Sequence, residues 1–145
     1  MAIQRMDHVS VVVDDLSAAT KFFTALGLKV RGEGTIEGSV VDRIVALEDV
    51  LAQTVMVETP DAHGCLELVR FDRPAAREGD GHAPANTLGI RHLCFQVDDI
   101  DASVDRARSL GAQLVGDVEQ YGDSYRLCYL RGPEGIIVEL AEKLG

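Results

Sequence analysis

Two histidines and two glutamates stand at corresponding places in the two halves of this sequence. His8 and His92 each open a run of alternating apolar residues, and Glu67 and Glu139 each lie inside a later apolar run. Singly, a strand histidine is more often a hydrogen-bonded structural residue, and a strand glutamate often faces water. Together, two imidazoles and two carboxylates suit an octahedral divalent cation such as Zn²⁺, Ni²⁺, Co²⁺, Mn²⁺ or Fe²⁺.

The correspondence comes from an internal repeat. Residues 8–30, HVSVVVDDLSAATKFFTALGLKV, align without gaps with residues 92–114, HLCFQVDDIDASVDRARSLGAQL. Each copy begins with the period-2 pattern of a strand, passes through Asp-Asp, and continues with a helical period. Asp15 and Asp99 are natural helix N-caps, and Gly27 and Gly111 are natural helix ends.

Each half therefore predicts the element order β-α-β-β-β, and the fold class is α+β. Strands after the helices are expected at about 28–33, 52–58 and 64–71, and again at 112–118, 124–130 and 136–141. Segment 40–50 has no counterpart in the second half and predicts an inserted short helix, with a strand as the alternative. We expect one domain, 1–145, made of module 1 (about 5–71), a flexible linker (72–89) and module 2 (about 90–143).

Successive side chains of a strand alternate between the two faces of the sheet. This alternation predicts that all four candidate ligands lie on the face away from the helices. Val9, Val11 and Val13 share a face that a helix can cover, and His8 lies on the other. The same alternation separates His92, Glu67 and Glu139 from the apolar residues beside them. Carboxylates facing one another inside a concave sheet are costly without a cation, which favours a metal site.

Composition excludes several classes of partner. The chain has 14 Lys+Arg against 24 Asp+Glu, a net charge of −10, and no basic cluster that would neutralise a phosphate backbone or an anionic membrane. The sequence contains no run of 18 apolar residues, so it predicts no membrane-spanning helix. The N-terminal residues lack the pattern of a secretory signal, so we expect a cytoplasmic protein, with its three cysteines reduced and mostly buried.

These features resemble the vicinal-oxygen-chelate superfamily, which includes glyoxalase I, methylmalonyl-CoA epimerase, extradiol dioxygenases and bleomycin-resistance proteins. The resemblance covers nearly the whole chain and rests on DHVSVVVDDL, RHLCFQVDDI, LELVRF and, most specifically, GPEGIIVEL. It implies two paired modules whose curved sheets surround an open metal site, built within one chain or across a dimer. It also implies that the chain associates as a homodimer. It also places the metal ligands, for one divalent ion per site, at His8, Glu67, His92 and Glu139.

The resemblance also indicates the type of reaction. Glyoxalase I-like enzymes have Glu at the position of Glu67, whereas dioxygenases take no ligand from that strand. A carboxylate at the metal can remove a proton beside a chelated carbonyl while the metal stabilises the enediolate. The implied function is a metal-dependent lyase, isomerase or epimerase of a small molecule, with Glu67 or Glu139 as the catalytic base.

Two other functions stay open. A metal-free binding protein of the bleomycin-resistance type would sequester a small molecule, although such proteins usually lose the ligand positions that are present here. A dioxygenase would need only the facial triad of His8, His92 and Glu139. The stretch YGDSYRLCYLRG (121–132), with Tyr121, Arg126 and Tyr129, is a candidate for shaping the pocket.

Overall fold

A computed structural model describes residues 2–145, which fold as two compact units. Unit 1 runs to Glu78, and unit 2 runs from Gly79 to Gly145, so the boundary falls inside the predicted linker. Each unit holds one mixed sheet and repeats the predicted order. The α+β class and the duplication are therefore confirmed. Within the part of the chain that is described, no helix has the length and apolar character needed to cross a membrane.

Unit 1 is a four-stranded sheet with the order β1-β4-β3-β2, in which β1 runs parallel to β4 and the other pairs are antiparallel. Its elements are β1 (Val9–Val12), α1 (Leu16–Ala25), β2 (Lys29–Glu37), α2 (Ser39–Val45), β3 (Leu51–Glu58) and β4 (Cys65–Arg73). All the strands predicted here are present. Segment 40–50 contains a short helix rather than a strand.

Unit 2 repeats the arrangement with the order β5-β9-β8-β6, and β7 also pairs with β8. Its elements are β5 (His92–Val97), α3 (Ile100–Ser109), β6 (Gln113–Leu114), β7 (Glu119–Tyr121), β8 (Tyr125–Arg131) and β9 (Ile137–Lys143). The prediction of one strand over 112–118 is wrong, because β6 stops at Leu114 and β7 begins only at Glu119. Gly116 and Asp117, both poor strand formers, lie in the interruption.

The helix boundaries follow the predicted caps. The Asp15 carboxylate accepts the backbone N–H of Ala18 at 2.9 Å, and the Asp99 carboxylate accepts that of Ala102 at 3.0 Å. These contacts satisfy donors that an α-helix leaves unpaired in its first turn. The two repeat copies therefore begin their helices by the same local mechanism.

The main helix of each unit covers the apolar face that parity predicted. In unit 1, α1 contacts β3 and β4, and Val11, Val13, Leu66 and Leu68 are buried while His8 and Ser10 are exposed. In unit 2, α3 contacts β8 and β9, where Leu130, Val138 and Leu140 are fully buried. The histidines and glutamates thus lie on the faces opposite α1 and α3.

Helix α2 departs from this simple plan, because it packs on the same face as Glu67. Val41 of α2 packs against a cluster whose β-strand members are Ile36, Ala52, Val69 and Phe71. The strand register places these residues on the Glu67 face, toward the Arg73 end of β4. The inserted helix therefore forms an apolar boundary at one end of that face.

The first residues of unit 2, which belong to the predicted linker, contact the end of β8 and the turn after it. Arg131 donates to the carbonyl of Ala83 at 2.7 Å and to that of Gly135 at 3.0 Å. Gly135 has φ +74°, and a Cβ built on it would collide with the backbone of Gly81. Glycine is needed here both for its conformation and for the close approach of the two backbone segments.

We expect Gly135→Ala to destabilise the protein by about 3 kcal/mol, because it adds a left-handed alanine to a backbone clash that must be relieved by movement. The midpoint of urea unfolding measures this loss. Gly116→Ala is the matched control, since a Cβ at Gly116 meets no atom within 4 Å. Equal midpoints for the two variants would contradict the proposed close approach.

Candidate functional site

His92 and Glu139 contact each other in unit 2. His92 Nε2 lies 3.1 Å from Glu139 Oε1, and the two side chains are 37% and 16% exposed. The parallel pairing of β5 with β9 sets Cys94 opposite Glu139, so His92 begins β5 two residues before the residue opposite the carboxylate. Two of the predicted ligands thus adjoin on the face that parity indicated.

Tyr129 and Cys94 complete the surroundings of Glu139. Tyr129 is directly opposite Glu139 on β8, and its ring centroid lies 5.0 Å from that of His92. Partial desolvation of the sulfur, together with the negative charge of Glu139 and a hydrogen bond to it, raises the pKa of the Cys94 thiol to about 11. The thiol is therefore protonated at neutral pH.

The pocket candidates from residues 121–132 separate in the structure. Tyr129 lies beside His92, whereas Arg126 forms a bidentate ion pair with Asp101 at 2.9 and 3.0 Å, near the start of α3. Tyr121 is exposed on β7. The prediction that the cysteines are mostly buried is also wrong: Cys128 is buried, Cys65 is half-buried and Cys94 is exposed.

Unit 1 places His8 and Glu67 in the equivalent register. Ser10 is opposite Glu67, so His8 again stands two residues before the residue that faces the carboxylate. Glu67 is half-buried among buried neighbours on β4. The repeat is therefore preserved at the level of strand register, which places one histidine and one glutamate on the same face of each sheet.

Asp7 orients the His8 imidazole. His8 Nδ1 lies 2.7 Å from Asp7 Oδ2, and Arg5 donates to the other carboxylate oxygen at 3.0 Å. Hydrogen bonds from His8 and then Arg5 lower the pKa of Asp7. A carboxylate that accepts from Nδ1–H leaves Nε2 as the free lone pair, which is the usual arrangement behind a metal-binding histidine.

The donor set in each unit fits a divalent cation. One imidazole nitrogen and one carboxylate oxygen on a shared face are suitable ligands for Zn²⁺, Ni²⁺, Co²⁺, Mn²⁺ or Fe²⁺. Over residues 2–145, however, no group of three or more His, Cys, Asp or Glu side chains is arranged to hold a metal. The structure thus brings His92 and Glu139 into contact and places His8 and Glu67 in the equivalent register, and a four-ligand site stays a prediction.

The two remaining histidines lie in other parts of the fold. His63 is in the turn before β4, 88% exposed, with Nδ1 3.7 Å from Asp61. The His82 backbone N–H bonds to Asp80 in the first residues of unit 2. Both lie in turn segments, as predicted, and both serve as controls for the ligand variants.

Sequence reasoning missed Arg31. The pairing of β2 with β3 shifts between Val30 and Gly32, leaving Arg31 as the extra residue of a β-bulge. Its guanidinium Nη1 lies 3.7 Å from Cys65 Sγ and 4.0 Å from Glu58. A glycine inside a strand often marks a bulge, so Gly32 was the signal in the sequence that could have found it.

Known proteins match the chain over nearly its full length. A crystal structure of a glyoxalase family protein from Bacillus cereus is 44% identical, with a TM-score of 0.95 and coverage of 100% of this chain and 99% of that one. An ethylmalonyl-CoA/methylmalonyl-CoA epimerase of Cereibacter sphaeroides is 28% identical, covering 97% of this chain and 98% of that protein.

A third relative, a lactoylglutathione lyase of Schizosaccharomyces pombe, is 24% identical over 99% of this chain, which spans 49% of the yeast protein. The family model of the Glyoxalase/Bleomycin resistance protein/Dioxygenase superfamily matches residues 5–140. That range includes all four candidate ligands and everything in the two repeats except the last three residues of β9. The chain therefore belongs to the Glyoxalase/Bleomycin resistance protein/Dioxygenase superfamily.

Proposed function

We propose that this protein is a divalent-metal-dependent lyase, isomerase or epimerase that moves a proton beside the carbonyl or hydroxyl of a small molecule. The observation that carries the proposal is the repeated His and Glu pair in one strand register. Duplication of the module places the two pairs at equivalent positions, and both copies carry the donor types that a divalent cation takes. Similarity to a lyase and an epimerase supports the same class of reaction.

The proposal assigns metal binding to His8, Glu67, His92 and Glu139. The bound cation supplies Lewis-acid polarisation of the substrate oxygen. Asp7 contacts Nδ1 of His8, which leaves Nε2 of the same imidazole for the metal. Tyr129 and Cys94 flank Glu139, and a substrate bound against them would displace water from that carboxylate. Exclusion of water strengthens electrostatic interactions with the substrate.

Glu67 is the preferred proton carrier. Its carboxylate is half-buried on β4, whereas Glu139 already contacts His92 at 3.1 Å and interacts with Cys94. A general base needs a free lone pair in reach of the proton that it removes. Glu139 has more of its acceptor capacity committed than Glu67, so we assign proton transfer to Glu67 and mainly binding to Glu139.

Metal analysis of protein purified without chelator tests the proposal. We expect about one divalent ion per chain, since the proposal assigns four donors of that chain to one cation. Elemental analysis by inductively coupled plasma mass spectrometry gives both the amount and the identity of the metal. Protein that carries no metal, and gains none on incubation with Zn²⁺, Ni²⁺, Co²⁺, Mn²⁺ or Fe²⁺, would favour a metal-free binding protein instead.

A further inference from the structure

Arg31 lies on the Glu67 face because of the bulge in β2. Lys29 pairs with Glu58 on one side of the register shift, and Gly32 pairs with Met56 on the other. Glu58 and Met56 share the Glu67 face, since they are opposite Cys65 and Glu67 on β4. Alternation from Lys29 then assigns Arg31 to that face, next to Gly32. Bulges re-aim side chains in this way near functional sites.

The Arg31 side chain crosses a whole strand to reach this position. Arg31 belongs to the edge strand β2, and the Cys65 sulfur that it approaches at 3.7 Å belongs to β4, on the far side of β3. Adjacent strands are about 4.8 Å apart, so the guanidinium extends over roughly two strand spacings. Cys65 is two residues before Glu67 on the same face, which puts the cation about 7 Å along β4 from that carboxylate.

Arg31 retains the capacity to bind an anion. Its ion pair with Glu58 has a distance of 4.0 Å, and the side chain is 50% exposed. Arg70, by contrast, donates to Asp72 at 3.0 Å on the opposite face of the sheet. A guanidinium presents a rigid fork that matches the two oxygens of a carboxylate. In a chain with net charge −10, an anionic substrate needs a local cation of this kind.

We propose that Arg31 binds a carboxylate group of the substrate, about 7 Å from the carbon that faces Glu67. The inference rests on the proposed function, because it takes the Glu67 face as the substrate-binding face. It deepens that function by naming the substrate class: a small carboxylic acid or an acyl compound that carries a free carboxylate. Lys29, exposed at the same end of the face, adds positive charge there.

Titration with succinate, followed by NMR of ¹⁵N-labelled full-length protein, tests the assignment. Succinate should shift the Arg31 side-chain Nε–H and the amides of Gly32 and Cys65, both in protein as purified and after chelator treatment. Arg31→Ala should weaken this binding about ten-fold or more, and Arg31→Lys should restore it only in part, because lysine lacks the fork. Arg70→Ala, with a similarly exposed side chain (42%), should bind as the wild type does.

The controls separate the ligand chemistries. Succinamide, which is neutral, should cause no shift. Inorganic phosphate also fits the guanidinium fork, so binding of phosphate that is tighter than binding of succinate would overturn the carboxylate assignment. Binding that survives unchanged in Arg31→Ala, or that disappears from wild-type protein on chelation, would overturn the Arg31 assignment. A positive result in chelated protein stands even where metal analysis rejects the proposed function, so the two failures are distinguishable.

Discussion

Glu67→Gln protein should keep much of its metal but lose a large part of its rate. An amide oxygen still coordinates a cation, whereas it cannot accept the substrate proton. General-base contributions are typically about 10²–10⁴-fold, and we expect a loss in that range. The measurement is metal-dependent exchange of a carbon-bound substrate proton with deuterated solvent, followed by NMR for 2-oxo thioesters, hemithioacetals and α-hydroxyketones.

Glu37→Gln is the matched control, since it makes the same isosteric change at an exposed end of β2 and should leave the exchange rate unaltered. Exchange and turnover should fall in parallel in the Glu67 variant. A substrate whose exchange survives Glu67→Gln would remove Glu67 as the base. Turnover that consumes molecular oxygen would point instead to an oxygenase built on His8, His92 and Glu139.

His8→Ala and Glu139→Ala should each lower metal affinity by more than about 100-fold. Each change removes a residue proposed to bind the metal directly. Loss of even a residue that only hydrogen-bonds to such a ligand lowers metal affinity by about 10–100-fold. Calorimetric titration of metal-free protein with Zn²⁺ measures the change. The Glu139 variant also removes the partner of His92 at 3.1 Å, so its thermal unfolding should be recorded beside its metal affinity.

His63→Ala and His82→Ala should leave the metal affinity as it is in the wild type. Both residues are histidines in turns or irregular segments, so they control for the general loss of an imidazole. If all four variants lost affinity equally, the ligand assignment would be wrong. If only His63 or His82 mattered, the metal would be bound at another place on the chain.

Local patterns were enough to predict the repeated modules and the faces of their sheets. Alternation in HVSVVV predicted which side of β1 is buried, and Val11 and Val13 are indeed buried while His8 is exposed. Asp15 and Asp99 predicted the helix starts, because a cap is a property of a few neighbouring residues. Parity likewise brought His92 and Glu139 to a common face.

Features that depend on long-range register were not predictable in the same way. The bulge at Arg31 adds one unpaired residue to β2, and no periodicity reveals which residue is added. The apolar run around Cys94 predicts a buried thiol, yet Cys94 is exposed, because burial depends on what covers the face that it shares with His92. Joint binding of one metal by all four ligands is also a long-range property, and it stays a prediction.

The Glu67 face of unit 1 has two unlike ends, and this gives it a direction. Beyond Cys65 stands the Arg31 cation, and beyond Val69 stands the apolar cluster under α2. On the proposed function, a substrate lies with its carboxylate at one end and its apolar group at the other. A substrate bound in this orientation turns one face of its reacting carbon toward Glu67. The inserted helix, which unit 2 lacks within its described residues, would thus help to select which face of the substrate carbon exchanges its proton with Glu67.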